Sequence, residues 1–245
     1  MIVIDVETTG LLALLERGKD GNMFGGKASI ISIAAIDFEN PENRFEINCD
    51  PFGVEYELDH VLDNPLEFEH VGAEFEEGSI KYNSVSAEHF YGVTLDENDN
   101  LIDSEPVGVS EAQAISLFRS WMESIKDKTL AGQNPNSLDR PILIEAAHRA
   151  GIELKLSHRA FDIHSLATGF LRSHGMEVPL KRESSAVNGD YIMDLVGIPK
   201  EAEQHAEAMD GTLRETEAAY RLIYGKNYLP EFEQYPVPEI LRKRD

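Results

Sequence analysis

Cysteine, tryptophan and positive charge are scarce in this chain. Its 245 residues hold one Cys, Cys49, and one Trp, and set 22 Lys and Arg against 45 Asp and Glu, a formal net charge of −23. A single cysteine excludes an internal disulfide framework and any zinc site built from several thiolates. No apolar run nears the roughly 20 residues that a membrane helix requires; the best, Ile30 to Ile36, has the length of a strand. The opening MIVIDVETTG carries no basic leader or cleavage pattern, so a soluble, cytoplasmic protein is expected, without a membrane partner. The deficit of positive charge argues against a protein that coats nucleic acid through a broad basic face. With 42% hydrophobic and 27% charged residues, the composition is that of a globular chain long enough for one sizeable core.

The negative charge is unevenly placed. From Asp50 to Glu105 there are 16 acidic residues and one basic residue, Lys81, a net of −15; the other 189 residues carry only −8. Between Asp139 and Arg182 the balance turns positive, 7 basic against 5 acidic with four histidines besides. An acidic segment of this kind leaves room for a local phosphate-binding groove elsewhere.

The apolar, β-branched MIVID predicts a buried first strand ending at Asp5. Gly18 to Gly26 reads as a glycine-rich loop, SIISIAAIDF as a second strand, and NRFEIN as a third after the Asn40-Pro41 turn. The acidic stretch of about 50–105 reads as an irregular insertion and not as a second domain. Beyond it, Ser110 and Gln113 form a capping box for a helix with an apolar stripe of Ala114, Leu117, Phe118, Trp121 and Ile125. TLAG is a short strand, Pro141 to Ala150 a helix stopped by Gly151, FDIH a strand end, and Ser165 to Ser173 a helix. A last helix is expected from about Glu203 to Tyr224. This order predicts an α/β fold, a mixed sheet flanked by helices over 1–225 with the acidic insertion, followed by a C-terminal tail at 226–245.

Asp5 and Glu7 fall two apart at the end of the first strand, so both point to one face. Paired carboxylates there suit a hard divalent cation, although an Asp-x-Glu pair is also an ordinary solvated strand end. Thr8, Thr9 and Gly10 follow at once, bringing backbone N–H groups that could grip a phosphate or a terminal hydroxyl. Asp139 opens the helix after LAGQNPNSL, a position that the helix dipole alone would favour. His205 precedes Asp210 by five residues, which lets an imidazole and a carboxylate converge. GNMFGGKA (21–28) fits a P-loop pattern, yet Ala28 stands where the magnesium-binding hydroxyl belongs and a strand follows. His205-Ala206-Glu207 imitates a zinc deaminase, but the Pro-Cys-x-x-Cys that chemistry needs is absent.

Taken together, DVETTG, LAGQN…LDR and HAEAMD resemble, in order, the three exonuclease motifs of the DnaQ-like DEDDh 3′–5′ exonucleases, a family that includes the epsilon proofreading subunit, ribonuclease T and oligoribonuclease. AEHFYGVT and AFDIHSLATGFL resemble the elements that link those motifs. The resemblance implies a ribonuclease H-like fold and hydrolysis from a free 3′ end to nucleoside 5′-monophosphates. It implies Asp5, Glu7, Asp139 and Asp210 as the ligands of two Mg²⁺ ions, which Mn²⁺ can replace, and His205 as general base. Ala206 stands where the sister subclass has tyrosine. For the 3′-terminal nucleotide it points to Thr8, Thr9, Gly10, Leu11, Phe90, Tyr91 and Asn134; Lys181 and Arg182 are candidate phosphate contacts by charge alone, and a solvated loop pair is the simpler reading of them. The Asn134–Asp139 spacing is one residue longer than in many members, and Tyr91 replaces a histidine of the proofreading subunit. The expected partners are single-stranded DNA or RNA 3′ ends, including short oligonucleotides. A polymerase docked on the tail, a homodimer partner, or a catalytically silent scaffold of the same fold are the alternatives.

Overall fold

The computed structural model describes residues 1–8, 30–50, 93–95, 101–104, 108–181, 184–199 and 208–242. Strand β1 (Ile2–Thr8) is the centre of the fold. Its β-branched residues alternate between two apolar layers: Ile2, Ile4 and Val6 enter one core cluster and Val3 the other. That is the behaviour of a strand covered on both faces. β1 pairs antiparallel with β2 (Ile30–Asp37), which pairs antiparallel with β3 (Arg44–Asp50). A separate hairpin joins β4 (Val93–Leu95) to β5 (Leu101–Ser104), and β6 (Val109–Ser110) lies parallel to β3.

Helix α1 (Glu111–Glu123) begins at the expected capping box: the Gln113 N–H donates to Ser110 Oγ at 3.3 Å while the Ser110 N–H donates to Gln113 Oε1 at 3.2 Å. β7 (Leu130–Gly132) runs parallel to β1, followed by α2 (Asp139–Arg149), β8 (Ala160–Asp162) and α3 (Ile163–Ser173). A hairpin of β9 (Leu180–Lys181) and β10 (Ser184–Ser185), then α4 (Gly189–Val196) and α5 (Ala208–Tyr224), complete the regular elements. The main sheet has the order β6-β3-β2-β1-β7-β8. Its first half is largely antiparallel and its second half is parallel, so it is the mixed, helix-flanked α/β sheet expected of a ribonuclease H-like chain. β1 runs three residues past Asp5, which keeps Glu7 and Thr8 in register beside Ser32 and Ile30.

α1 and α2 cover one face of the sheet, with Phe118, Ile115 and Leu143 fully buried. The other face is covered by α3, α4, α5 and the segment after Tyr224. Leu229, Phe232, Val237 and Leu241 of that segment are core residues, so the stretch up to 242 is packed into the second layer. Arg221 and Glu217, both at 0% exposure, fasten it. The guanidinium donates to Glu217 Oε1 at 2.7 Å and to the carbonyls of Val196, Phe232 and Tyr235, while Glu217 accepts the N–H groups of Tyr228 and Leu229. Every charge buried there has several partners, the condition under which a buried pair is tolerated.

Candidate active site

At the carboxyl end of β1 the neighbouring strand β7 has turned away: its pairing with β1 stops at Val3 and Ala131. β7 pairs with that edge of β1 only as far as Val3, and the site sits beyond it. Alternation places Asp5 and Glu7 on the face of Val3, toward α5. The approach of α5 is close: a Cβ at Gly211 would lie 2.5 Å from Asp5 Oδ2. Glycine at 211 is therefore what lets the Asp5 carboxyl lie against the helix. Asp210, immediately before it, sits in the first turn of α5 with its carboxyl half-exposed and 3.3 Å from Arg214 Nε. Arg214 Nη1 donates to the Pro199 carbonyl at 2.6 Å.

Asp139 is the first residue of α2, as expected, and only 7% exposed. The turn leading to it is fixed by Asn134, which adopts a left-handed φ of 53°. The Asn134 N–H donates to Asp162 Oδ1 at 3.2 Å, and its carbonyl accepts the N–H of Ser137 at 2.8 Å. Asp162 also caps α3 through the N–H groups of His164 and Ser165. Asn134 itself is exposed beside the site.

The electrostatics join these residues into one group. Burial, and then the Glu7 carboxylate, push the Asp5 pKa up to about 7. Burial, and then the charges of Asp5 and Glu7, push Asp139 up to about 8, against the stabilising N–H groups of Asp139 itself and Val6. Like charges withdrawn from water favour the protonated form. Glu215 of α5 joins Asp5, Glu7 and Asp139 as a fourth carboxyl: burial, and then Asp5 and Asp139, raise its pKa well above the ordinary carboxylate range. Nothing in the sequence pattern singled it out.

The donor set suits a hard divalent cation in kind, since it is all oxygen and short of positive charge. Among the described residues, no three His, Cys, Asp or Glu side chains are gathered into a group that would hold a metal ion as they stand. Of the sequence-predicted residues, Asp5, Glu7 and Asp139 act on one another at this end of the sheet, while Asp210 adjoins Gly211 at the start of α5 and faces Arg214; Thr8 ends β1, and Asn134 lies in the turn before Asp139. Lys181 is exposed on the β9–β10 hairpin. His205, Thr9, Gly10, Leu11, Phe90, Tyr91 and Arg182 lie outside the described residues, as do the loop of 18–26 and most of the acidic insertion.

No family model matches the chain, and no curated protein matches it. Solved structures of exonuclease I are similar to it. The product-bound form is 15% identical with a TM-score of 0.48, covering 91% of this chain and 42% of that one. E. coli exonuclease I with a 5cy-dT13 oligonucleotide is 14% identical with a TM-score of 0.48, covering 89% and 39%. The chain thus spans well under half the length of these proteins. Among the described residues, no helix is long and apolar enough to cross a membrane.

Proposed function

We propose that the chain is a divalent-metal-dependent 3′–5′ exonuclease that releases nucleoside 5′-monophosphates from single-stranded DNA or RNA ends. The observation that carries this reading is the group of half-buried Asp5 and Glu7 with buried Asp139 at the carboxyl end of β1, with the Asp5 and Asp139 pKa values pushed up to about 7 and about 8. Such a group is at rest only when protons or cations offset it. Asp5, Glu7, Asp139 and Asp210 would hold two Mg²⁺ ions, or Mn²⁺ in their place. Bound ions supply Lewis acidity at the phosphoryl group and stabilise charge on the attacking and leaving oxygens.

The protein's own part is to orient and to move a proton. Asp5, set between Gly211 and the Val6 N–H, and Asp139, at the end of the Asn134 turn and also facing the Val6 N–H, supply oxygens at the β1 end. In this reading His205 takes the proton from the attacking water on an imidazole nitrogen, a group that titrates near neutrality. Thr8 and Asn134 border the place of the terminal nucleotide. The net charge of −23 makes binding of long substrates weak and steeply salt-dependent, so short oligonucleotides are the expected substrates.

The test is a gel assay with two 5′-labelled single strands, one DNA and one RNA, in Mg²⁺ and in EDTA, beside Asp5→Ala. The expected result is a metal-dependent ladder shortening from the 3′ end and missing in the variant. Absence of cleavage in both Mg²⁺ and Mn²⁺ would refute it.

A further inference from the structure

We propose that Glu215 is a positioning residue of the carboxylate site: fastened to Gln133, it sets the spacing between α5, which carries Asp210, and the turn after β7 that leads to Asp139. The inference rests on the reading that this site binds divalent cations.

Three observations support it. The Glu215 carboxyl lies against Gly132, and the backbone N–H and side chain of the next residue, Gln133, both favour its charged form. It therefore ties the helix of one predicted ligand to the chain segment of another, five residues from Asp210 and six from Asp139. The packing around it is cut to fit. Gly132 holds a φ of +156°, and a Cβ there would come within 3.1 Å of Glu215 Oε2 and 3.0 Å of the Ile4 carbonyl. The Gln133 amide is seated against Gly189 of α4, where a Cβ would lie 2.6 Å from Nε2. Two glycines thus leave the space that one carboxyl and one amide fill. Finally, Glu215 Oε2 is sealed from solvent and has no hydrogen-bond partner among the described residues. An apolar side chain on this helix face would avoid that unsatisfied oxygen and the repulsion from Asp5 and Asp139. Apolar packing alone does not explain the choice of glutamate; the Gln133 donors that favour its charged form do. Removing a hydrogen-bonded outer partner of a metal site lowers affinity or activity by roughly 10- to 100-fold.

The experiment measures Mn²⁺ binding, from the EPR signal of the free ion, for the wild type, Glu215→Ala, Glu215→Gln, Gln133→Ala and Asp5→Ala, with Tm recorded for each. Oligonucleotide kcat and KM are followed separately. Glu215→Ala is expected to weaken Mn²⁺ binding about 10-fold or more and to lower kcat with KM little changed. Glu215→Gln keeps an oxygen for the Gln133 N–H and is expected to restore binding to within about threefold, far short of that loss. Gln133→Ala removes the side-chain half of that contact and leaves the backbone N–H in place, so it is expected to weaken Mn²⁺ binding in the same direction but by less than Glu215→Ala; it carries the test if Glu215→Ala fails to fold. Mn²⁺ binding unchanged in both alanine variants, whatever their Tm, overturns the proposal. So does a Glu215→Gln variant as weak as Glu215→Ala, or a wild type that binds no Mn²⁺. Intact Mn²⁺ binding without cleavage would instead remove the exonuclease reading and leave the brace standing.

Discussion

Replacing Gly211 by alanine should separate stability from activity. Ordinary contact with a Cβ begins at 3.4 Å, and the added methyl would lie 2.5 Å from Asp5 Oδ2. The Asp5 carboxyl, or α5 with it, must therefore retreat by about 0.9 Å. A misplacement on the order of 1 Å at reacting groups costs about 10²-fold in rate, equivalent to roughly 2.7 kcal/mol of transition-state stabilisation. The backbone effect runs the other way. Alanine is favoured over glycine in a helix interior by about 1 kcal/mol, worth about 2–4 °C in Tm for a chain of this size. The strain of the contact offsets part of that gain, so Tm should stay level or rise while kcat/KM falls. The assay is cleavage of a 5′-labelled oligonucleotide in Mg²⁺, with thermal unfolding in parallel. Gly169→Ala in α3, where a Cβ meets nothing within 4 Å, is the control and should gain stability with full activity. Gly211→Ala with wild-type kcat/KM would refute the placement of Asp5 as the working one.

Other consequences are as direct. In EDTA the folded protein keeps protons on Asp5 and Asp139 that the unfolded chain has released, so stability should fall as pH rises from about 4 through about 8; Mg²⁺ should reverse the loss at pH 8, and Asp139→Asn should flatten the slope of Tm against pH. A Tm in EDTA that rises over that range would contradict the electrostatics described. His205→Ala should lose on the order of 10²-fold in kcat while Mn²⁺ binding survives, which single-turnover kinetics would check. Glu111 is 2% exposed and takes Arg149 through Nε at 3.0 Å and Nη2 at 2.8 Å, besides the Ile30 N–H. Glu111→Ala strands those donors and should cost about 3–5 kcal/mol in urea unfolding; a change under about 1 kcal/mol, the median worth of an exposed pair, would show the site to be wetter than it looks.

Much of this arrangement is legible in the sequence. The β-branched run of β1, the capping box at Ser110 and the polar turn before Asp139 are local signals, and each element formed where its residues dictate. Alternation along β1 put Asp5 and Glu7 on one face because a strand has no other choice. Glu215 escaped notice because a glutamate in an acidic helical pattern reads as solvated. Only the docking of α5 on β1 and β7 turns it inward. The same holds for Gly211, Gly132 and Gly189, whose role is to leave space for a side chain from elsewhere. The segment after Tyr224 was expected as a tail; its spaced Leu229, Phe232, Val237 and Leu241 have no single period, yet each fills a gap in the second layer. α4 is short, and its limits rest on Asn188 as cap and left-handed Gly197 as stop.

The Arg221 hub also sets the smallest chain that can fold. A protein cut at Gly225 would lose the carbonyls of Phe232 and Tyr235 and the N–H groups that neutralise Glu217, and would strip four apolar side chains from the layer under α5. A guanidinium left inside with half its partners is among the costliest single defects a core can carry. The helix that holds Asp210 at its first turn is thus moored at its other end by residues that come after it. A shortened chain must extend to Leu241 to keep that mooring.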